Sequence, residues 1–179
     1  MAKVICIDAG HGGGDSGAVN GNRYEKDAAL CIALELGLLL IRGGYEVIFT
    51  RAEDSYLTLS ERCKISNSVE ADAFISIHLN AAASKTAKGV ETWMFANCGA
   101  TTKKIASAIQ TKLVADTKAK NRGVKTTKDF YVLKNTKAPA VLVECGFISN
   151  DDECVTLFEV DYQRKIAKAI YMGLSSVVK

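Results

Sequence analysis

The sequence predicts an α/β fold, with a single domain built on an about six-stranded, mostly parallel, twisted sheet that carries helices on both faces. Short apolar segments rich in β-branched residues recur along the 179 residues, and amphipathic helical patterns separate most of them. The chain is 48% hydrophobic, which is enough for one sizeable core, and no change of composition divides it. We therefore expect residues 1–179 to form one domain.

Six apolar segments are predicted to be the strands, since each is short and bounded by turn residues or helical patterns. They cover residues 4–7, 47–49, 73–77, 90–95, 131–133 and 140–143. The stretch from Lys118 to Lys137 is basic and poorly periodic, so we expect it to lie on the surface apart from the brief strand at Tyr131.

The first helix is predicted to begin near Glu25 and to end at Gly43 and Gly44, where a left-handed cap is least costly. Its apolar residues recur at helical spacing, so one side should face the core. The residues expected on that buried side are Leu30, Leu34, Leu38 and Ile41.

Further helices are predicted from capping residues and from spacing. Residues 58–61 have the form of a capping box, for a helix that runs to about Val69. Residues 101–118 make a third helix, because Ile105, Ile109 and Leu113 recur at four-residue steps. Residues 150–153 cap a short helix, and the last helix is marked by Tyr162, Ile166, Ala169, Ile170 and Gly173.

Charge and hydropathy exclude several classes of partner. The net charge is +3, the 24% of charged residues are mixed in sign, and no basic run has interleaved aromatic residues, so we expect no nucleic-acid partner. The longest apolar stretch, residues 36–41, is far below the roughly 20 residues of a membrane span. Met1 leads directly into a strand pattern rather than a signal peptide. We expect a monomer with no membrane insertion and no export signal.

The six cysteines show no Cys-x-x-Cys pair and no dense spacing. A domain of this size does not need a disulfide scaffold, so we expect free and mostly buried thiols.

The two histidines each follow an apolar strand pattern, His11 after the first strand and His78 after the third. In open α/β sheets the ligand crevice lies at the carboxyl ends of parallel strands, so the two side chains should converge. Zinc enzymes commonly use three protein ligands and leave a position for water. The pattern therefore predicts a metal site that needs one further ligand and a separate base.

Glu144 ends the apolar run 139–144 and should reach the same edge of the sheet. A carboxylate at the end of a buried strand is costly unless a cation or a metal-bound water compensates it. The alternative is a salt bridge to a surface lysine. Because side chains alternate along a strand, Cys145 should point to the opposite face, which argues against a cysteine nucleophile.

The third metal ligand is left open by spacing alone. Asp8 and Asp15 adjoin the first strand and its glycine-rich loop, and Glu25 stands where the first helix begins. The full set of candidates is Asp8, Asp15, Glu25, Asp27 and Glu91.

The glycine-rich loop also matches the spacing of dinucleotide-binding folds over residues 12–17. Such a loop should open directly into a helix, whereas here the loop continues through residues 18–22. A simpler role for these glycines is to let the backbone pass close to a metal and its substrate.

Several motifs, in order over essentially the whole chain, resemble the zinc-dependent N-acetylmuramoyl-L-alanine amidases of the amidase 3 family. These motifs are residues 8–13 with Asp15 and Gly17, then 25–27, 50–51, 59–62, 76–81, 89–92 and 139–150. The resemblance implies a Zn²⁺ ion held by His11, Glu25 and His78, with Glu144 as the catalytic carboxylate. It thereby selects Glu25 from the candidates above.

Members of this family cut the amide between N-acetylmuramic acid and the first L-alanine of the peptidoglycan stem peptide, as autolysins, spore enzymes or phage endolysins. The resemblance thus implies one catalytic amidase domain over residues 1–179 that acts on peptidoglycan at the bacterial cell wall. Asn80 and the backbone at Gly12 and Gly13 are candidates for hydrogen bonds to the peptide or the oxyanion. For Asn80 the alternative is a loop residue that caps the turn after His78.

The chain shows neither a signal peptide nor a wall-binding domain, so we expect an isolated catalytic domain or a phage-encoded enzyme released from the cytoplasm. Two other functions would fit a zinc site. One is a zinc peptidase that cuts within the stem peptide, and the other is an inactive wall-binding module with structural zinc. Structural zinc sites usually have four ligands and favour cysteine, whereas here Glu144 is left over as an acid, which argues against the second.

Overall fold

Eight strands are present in the computed structural model, which describes residues 2–179. The strands are β1 (Val4–Ala9), β2 (Val19–Asn20), β3 (Arg23–Tyr24), β4 (Glu46–Phe49), β5 (Ala73–Asn80), β6 (Val90–Phe95), β7 (Asn121–Thr127) and β8 (Ala140–Phe147). Strands β2 and β3 form a separate two-stranded hairpin, and the other strands form a six-stranded sheet in the order β4-β1-β5-β8-β6-β7.

The sheet is mostly parallel, as predicted. Strands β4, β1, β5 and β8 run parallel to one another, β6 runs antiparallel to β8, and β7 runs parallel to β6. The carboxyl ends of β1, β5 and β8 therefore meet at one edge. Because β6 and β7 run in the opposite direction, their amino ends lie at that same edge.

Helices cover both faces of the sheet. They are α1 (Glu25–Arg42), α2 (Leu59–Ser68), α3 (Ala100–Thr117), α4 (Tyr131–Asn135), α5 (Asp151–Leu157) and α6 (Val160–Ser175). Side chains from α1, α3, α5 and α6 share one core with the sheet, and side chains from α2 and α4 share a smaller core with its other face. The larger core contains Ile7, Ile75 and Val143, and the smaller one contains Phe74 and Leu142, as expected for alternation along each strand.

The prediction for the buried side of α1 is wrong. Leu38 and Ile41 are 50% and 55% exposed, and Leu30 and Leu34 are only partly buried. The buried side consists of small residues and different aliphatic residues, namely Ala28, Ala29, Ile32, Ala33, Leu36, Gly37 and Leu40. Since α1 is apolar on nearly every side, its spacing does not identify the buried one. The end of the helix is as predicted, with Gly44 in the left-handed region at φ 84°.

In residues 118–137 the prediction of a strand at Tyr131 is wrong, and the edge strand β7 was not predicted. Tyr131 begins the short helix α4 rather than a strand. This helix places Val132 and Leu133 in the smaller core. A brief apolar run does not distinguish a strand from a buried helical turn. The sequence also gave no indication of β7, because an edge strand pairs on one side only and needs no apolar alternation.

The remaining local predictions are confirmed. The capping box between Thr58 and Glu61 begins α2, and the Asn150 side chain accepts the Glu153 N–H at the start of α5. All six cysteines in residues 2–179 are free, and four of them are buried: Cys6, Cys63, Cys145 and Cys154. None of the helices in this part of the chain combines the length and apolar composition that crossing a membrane requires.

Gly173→Ala tests the close packing of α6 against α3. Helix propensity alone predicts a gain of about 1 kcal/mol. A methyl group at position 173, however, would lie 2.6 Å from Ile109 Cα, and backbone atoms there cannot move aside cheaply. We expect the variant to lower the free energy of unfolding by about 1–3 kcal/mol in urea titration. The exposed Lys168→Ala on the same helix should change it by less than about 0.5 kcal/mol, and a stabilised Gly173→Ala would contradict the packing argument.

Candidate active site

The predicted convergence of His11, His78 and Glu144 is present at the carboxyl edge of the sheet. His11 directly follows the loop residue after β1, and His78 of β5 pairs in register with Glu144 of β8. Glu25, the first residue of α1, completes the group. His11 has a left-handed backbone at φ 59°, which is uncommon for a residue with a side chain.

Glu25 lies between the two histidines. Its Oε1 atom is 3.2 Å from His11 Nε2 and 2.9 Å from His78 Nδ1, and it also accepts the Leu79 N–H at 3.0 Å. Its Oε2 atom accepts the Ala18 N–H at 2.9 Å. One ligand atom from each of His11, Glu25 and His78 lies within 4.8 Å of the others, which is the spacing of groups that can share one metal ion.

The surroundings of these side chains also fit a metal. Asp15 Oδ2 lies 2.8 Å from His11 Nδ1, so the other ring nitrogen faces Glu25. Metal-binding histidines are commonly oriented by such a carboxylate. The backbone at Gly17, at φ 64°, packs directly on the site, since a methyl group there would lie 2.7 Å from both Glu25 Oε2 and the His11 ring.

The other candidates for a third ligand lie elsewhere. Asp8 is buried in an ion pair with Arg62, and Asp27 is exposed on α1. Asp15 contacts only His11 of the two histidines, and the Glu91 carboxylate is occupied by other side chains. Glu25 is thus the candidate whose carboxylate contacts both histidines.

Opposed charges stabilise one another within this group. Burial lowers the pKa of His11, but the hydrogen bond and charge of Glu25, followed by those of Asp15, outweigh it and raise the pKa to about 9. The pKa of His78 is also raised, because Glu25 outweighs the effect of burial. Burial favours the neutral form of Glu25, yet the two histidines hold its pKa well below its usual range. Glu25 thus stabilises the protonated forms of both imidazoles, and the imidazoles stabilise its carboxylate form.

Glu144 differs from Glu25 in having a carboxylate oxygen without a partner. Its Oε2 atom is buried and accepts no hydrogen bond from residues 2–179. Burial, opposed by His78 and reinforced by the charges of Glu25 and Glu91, raises the pKa of Glu144 to about 7. Such a pKa suits a group that exchanges protons near neutral pH. As predicted, the neighbouring Cys145 points to the opposite face, into the larger core.

Asn80 ends β5 and lines the cavity of about 630 Å³ that also contains His11, His78 and Glu144. Its Nδ2 atom donates to Glu91 Oε1 at 2.8 Å. This contact differs from the turn-capping role considered from the sequence. Apolar and aromatic side chains form another part of the cavity wall, among them Tyr56, Leu57, Leu59, Phe130 and Tyr131.

Two buried arginines, which the sequence did not identify as part of the site, hold the loop that carries His11. Arg62 donates to Asp8 Oδ1 at 2.9 Å and to the carbonyl oxygens of Ala9 and His11 at 2.6 and 2.7 Å. Arg51 donates to the carbonyl oxygens of Ala9 and Gly10 at 2.9 and 2.8 Å. Both arginines are 3% exposed. Their presence within the family-like motifs is the one signal that could have indicated them.

The fold and the site define an α/β enzyme that has a candidate metal site and a separate buried acid at the carboxyl edge of its sheet. The family model described as N-acetylmuramoyl-L-alanine amidase matches residues 5–176, and the chain belongs to this family of enzymes.

Similar proteins agree with this assignment. The N-acetylmuramoyl-L-alanine amidase LytC of Bacillus subtilis (strain 168) is 39% identical over 177 residues, which cover 98% of this chain and 36% of LytC. The germination-specific N-acetylmuramoyl-L-alanine amidase of the same organism is 36% identical, over 96% of this chain and 78% of the relative. The crystal structure of an N-acetylmuramoyl-L-alanine amidase from Clostridium difficile 630 superposes with a TM-score of 0.94 at 36% identity, covering 98% of this chain and 96% of that one.

Arg62→Lys tests the support of the His11 loop. Lysine keeps the positive charge but cannot reproduce the planar fork that binds Asp8 and three carbonyl oxygens. We expect the free energy of unfolding in urea to fall by about 2–4 kcal/mol, because buried acceptors lose their donors. The same exchange at the largely exposed Arg164 is the control and should have an effect below about 0.5 kcal/mol. Equal stability of the two variants would show that Arg62 does not support the loop.

Proposed function

We propose that the protein is a zinc-dependent amidase that hydrolyses the amide between N-acetylmuramic acid and L-alanine in bacterial peptidoglycan, with His11, Glu25 and His78 as the zinc ligands and Glu144 as the catalytic carboxylate. The main support is the position of one buried carboxylate between two histidines, with a second buried acid on the adjacent strand. Family membership supports the bond that is cut.

The donor set favours zinc. Two imidazole nitrogens and one carboxylate oxygen are the ligands of many catalytic zinc sites, which leave a position open for water. When bound, zinc supplies an activated water at neutral pH and polarises the amide carbonyl. His11, Glu25 and His78 line the cavity, and Glu144 lines it as well.

In this proposal Glu144 carries protons. Its Oε2 atom has no partner among the described residues, so it can accept a proton from the attacking water. With a pKa of about 7, the protonated acid can then give that proton to the leaving nitrogen of L-alanine. General acid–base steps of this kind contribute ~10²–10⁴ in rate.

Asn80 is proposed to bind substrate. One N–H of its amide is directed at Glu91, and an amide carries two such donors. The second N–H is available to a carbonyl of the bound peptide, because Asn80 lines the cavity beside Glu144.

The proposed site of action is the bacterial cell wall, with peptidoglycan as the partner. We also propose that residues 1–179 act as one catalytic domain and as a monomer. The proposal of one domain is supported by the six-stranded sheet, which is continuous and has a core on each face.

Product analysis tests the reaction itself. Digestion of purified peptidoglycan followed by mass spectrometry should yield glycan chains without peptide and peptides that begin with L-alanine. A peptidase that cuts within the stem peptide would leave L-alanine attached to the sugar, and that result would contradict the proposal.

Glu144→Gln and Glu25→Gln separate the two proposed roles. The first keeps size and hydrogen bonding but cannot accept a proton, so we expect retained zinc and a loss of roughly 10²-fold or more in amidase rate. The second replaces a ligand by a neutral amide, so zinc content measured by metal analysis should fall. If Glu144→Gln lost its zinc while Glu25→Gln kept zinc and activity, the two roles would be exchanged.

Zinc binding should release protons near neutral pH. The pKa of His11 is about 9, so its imidazole is protonated at pH 7 in the absence of zinc, and Glu25 raises the pKa of His78 as well. A ligand must be deprotonated, and zinc affinity should therefore increase as the pH rises towards 9. Calorimetric titration of metal-free protein in buffers of different ionisation enthalpy measures the release, which we expect to be between about one and two protons per zinc. A binding enthalpy that is equal in all buffers would exclude it.

A further inference from the structure

A second charged cluster lies beside the proposed catalytic acid. Glu91 of β6 pairs with Glu144 of β8, so the two side chains lie on the same face of adjacent strands. Arg122 Nε and Lys125 Nζ, both from β7, lie 2.7 and 2.6 Å from Glu91 Oε2. Asn80 donates to the other oxygen and lines the cavity. The cluster is therefore continuous with the site, and we refer to Arg122 and Lys125 as the β7 cation pair.

Glu91 has no capacity for a further partner of its own. It is 2% exposed, its Oε1 atom accepts from Asn80 and from Trp93 Nε1, and its Oε2 atom accepts from the β7 cation pair. One carboxylate thus faces two cations. The cluster carries a surplus positive charge at the edge of the sheet where the proposed reaction takes place.

The β7 cation pair is held in place and remains accessible. The Arg122 guanidinium lies 4.7 Å from the centre of the Phe147 ring, and Lys125 Nζ lies 5.2 Å from the Trp93 ring. Their side chains are 28% and 32% exposed. Cations whose geometry is fixed before binding lose little entropy when an anion binds them.

Apart from His11 and His78, which the proposed function assigns to zinc, the cavity beside the pair offers no comparable cation among the described residues that line it. Among the described residues that line it, the carboxyl groups are those of Asp8, Asp15, Glu25, Asp129 and Glu144. Arg62 also lines it, but its N–H groups are directed at Asp8 and at backbone carbonyl oxygens. A carboxylate on the substrate would find unfavourable charge there and favourable charge at the β7 cation pair.

We propose that Arg122 and Lys125 bind a carboxylate on the second or third residue of the stem peptide and so determine specificity for peptides in which that group is free. The inference rests on the proposed function. Strand β7 is two strands from β8, but its two cations reach back to Glu91 of β6, which is one strand from β8. Since strands are ~4.8 Å apart, the charged groups lie about 5–10 Å from Glu144. An extended peptide advances ~3.4 Å per residue, which brings its second or third residue to this position.

Three muramyl tripeptides test the inference. The first has free carboxylates on residues two and three, the second has an amide at residue two, and the third has an amide at residue three. We expect the wild type to show a kcat/KM at least about tenfold higher for the free form than for one of the amidated forms, as expected for the loss of one charge-assisted hydrogen bond. Which amide has this effect identifies the residue that is recognised.

Arg122→Gln and Lys125→Gln should each lower the ratio of kcat/KM for the free tripeptide to kcat/KM for the poorer amidated tripeptide. The expected decrease is about threefold or more, because one of two cations is removed. Lys128→Gln is the matched control, since Lys128 is exposed just beyond β7 and loses the same charge. It should leave the ratio unchanged. Each ratio compares substrates on one enzyme preparation, so a partly unfolded variant does not alter it.

A wild-type ratio near one, or an equal loss on all three substrates in the β7 variants, would overturn the inference. In both cases, cleavage at the sugar–alanine amide by the wild type would leave the proposed function intact. If the wild type released no peptide that begins with L-alanine from any of the three, the proposed function would fail and the inference would fail with it.

Discussion

The buried ion pair between Asp8 and Arg62 is the interaction on which the arrangement of the site depends. Asp8 also accepts the hydroxyl groups of Thr50 and Ser76, so one carboxylate joins β1 to the end of β4 and to β5. Arg62 extends the network to the carbonyl oxygen of His11. Charges buried in this way are tolerated only when all their partners are present. The unusual backbone of His11 is thus maintained by a network that needs three strands and α2 to be in place.

The mixed direction of the sheet divides the site into two parts. The parallel strands β1 and β5, with α1, supply His11, His78 and Glu25, and the parallel strand β8 supplies Glu144. The reversed strands β6 and β7 bring a different set of charges to the same edge through their amino ends. Groups suited to chemistry and groups suited to charge recognition therefore come from separate segments of the chain, joined at the pairing of β8 with β6.

The sequence was sufficient to predict those features of the fold and the site that local patterns decide. Helix caps, alternating strands and the rule for strand ends predicted the sheet and the meeting of His11, His78 and Glu144. Spacing did not select Glu25, because its approach to the histidines depends on the path of the β2–β3 hairpin. The partners of Arg62 are largely backbone carbonyl oxygens far away in sequence, and no side-chain pattern reports them. The buried side of α1 was mistaken because the helix is apolar on nearly every side.

Strand β7 also has a consequence for solubility. It ends the sheet, so one row of its backbone N–H and C=O groups has no neighbouring strand. Such an edge is a template on which another chain can add a strand and begin aggregation. The basic residues of β7 oppose this, because two copies of the strand would bring like charges together. The same side chains thus disfavour the pairing of β7 with a second copy of itself.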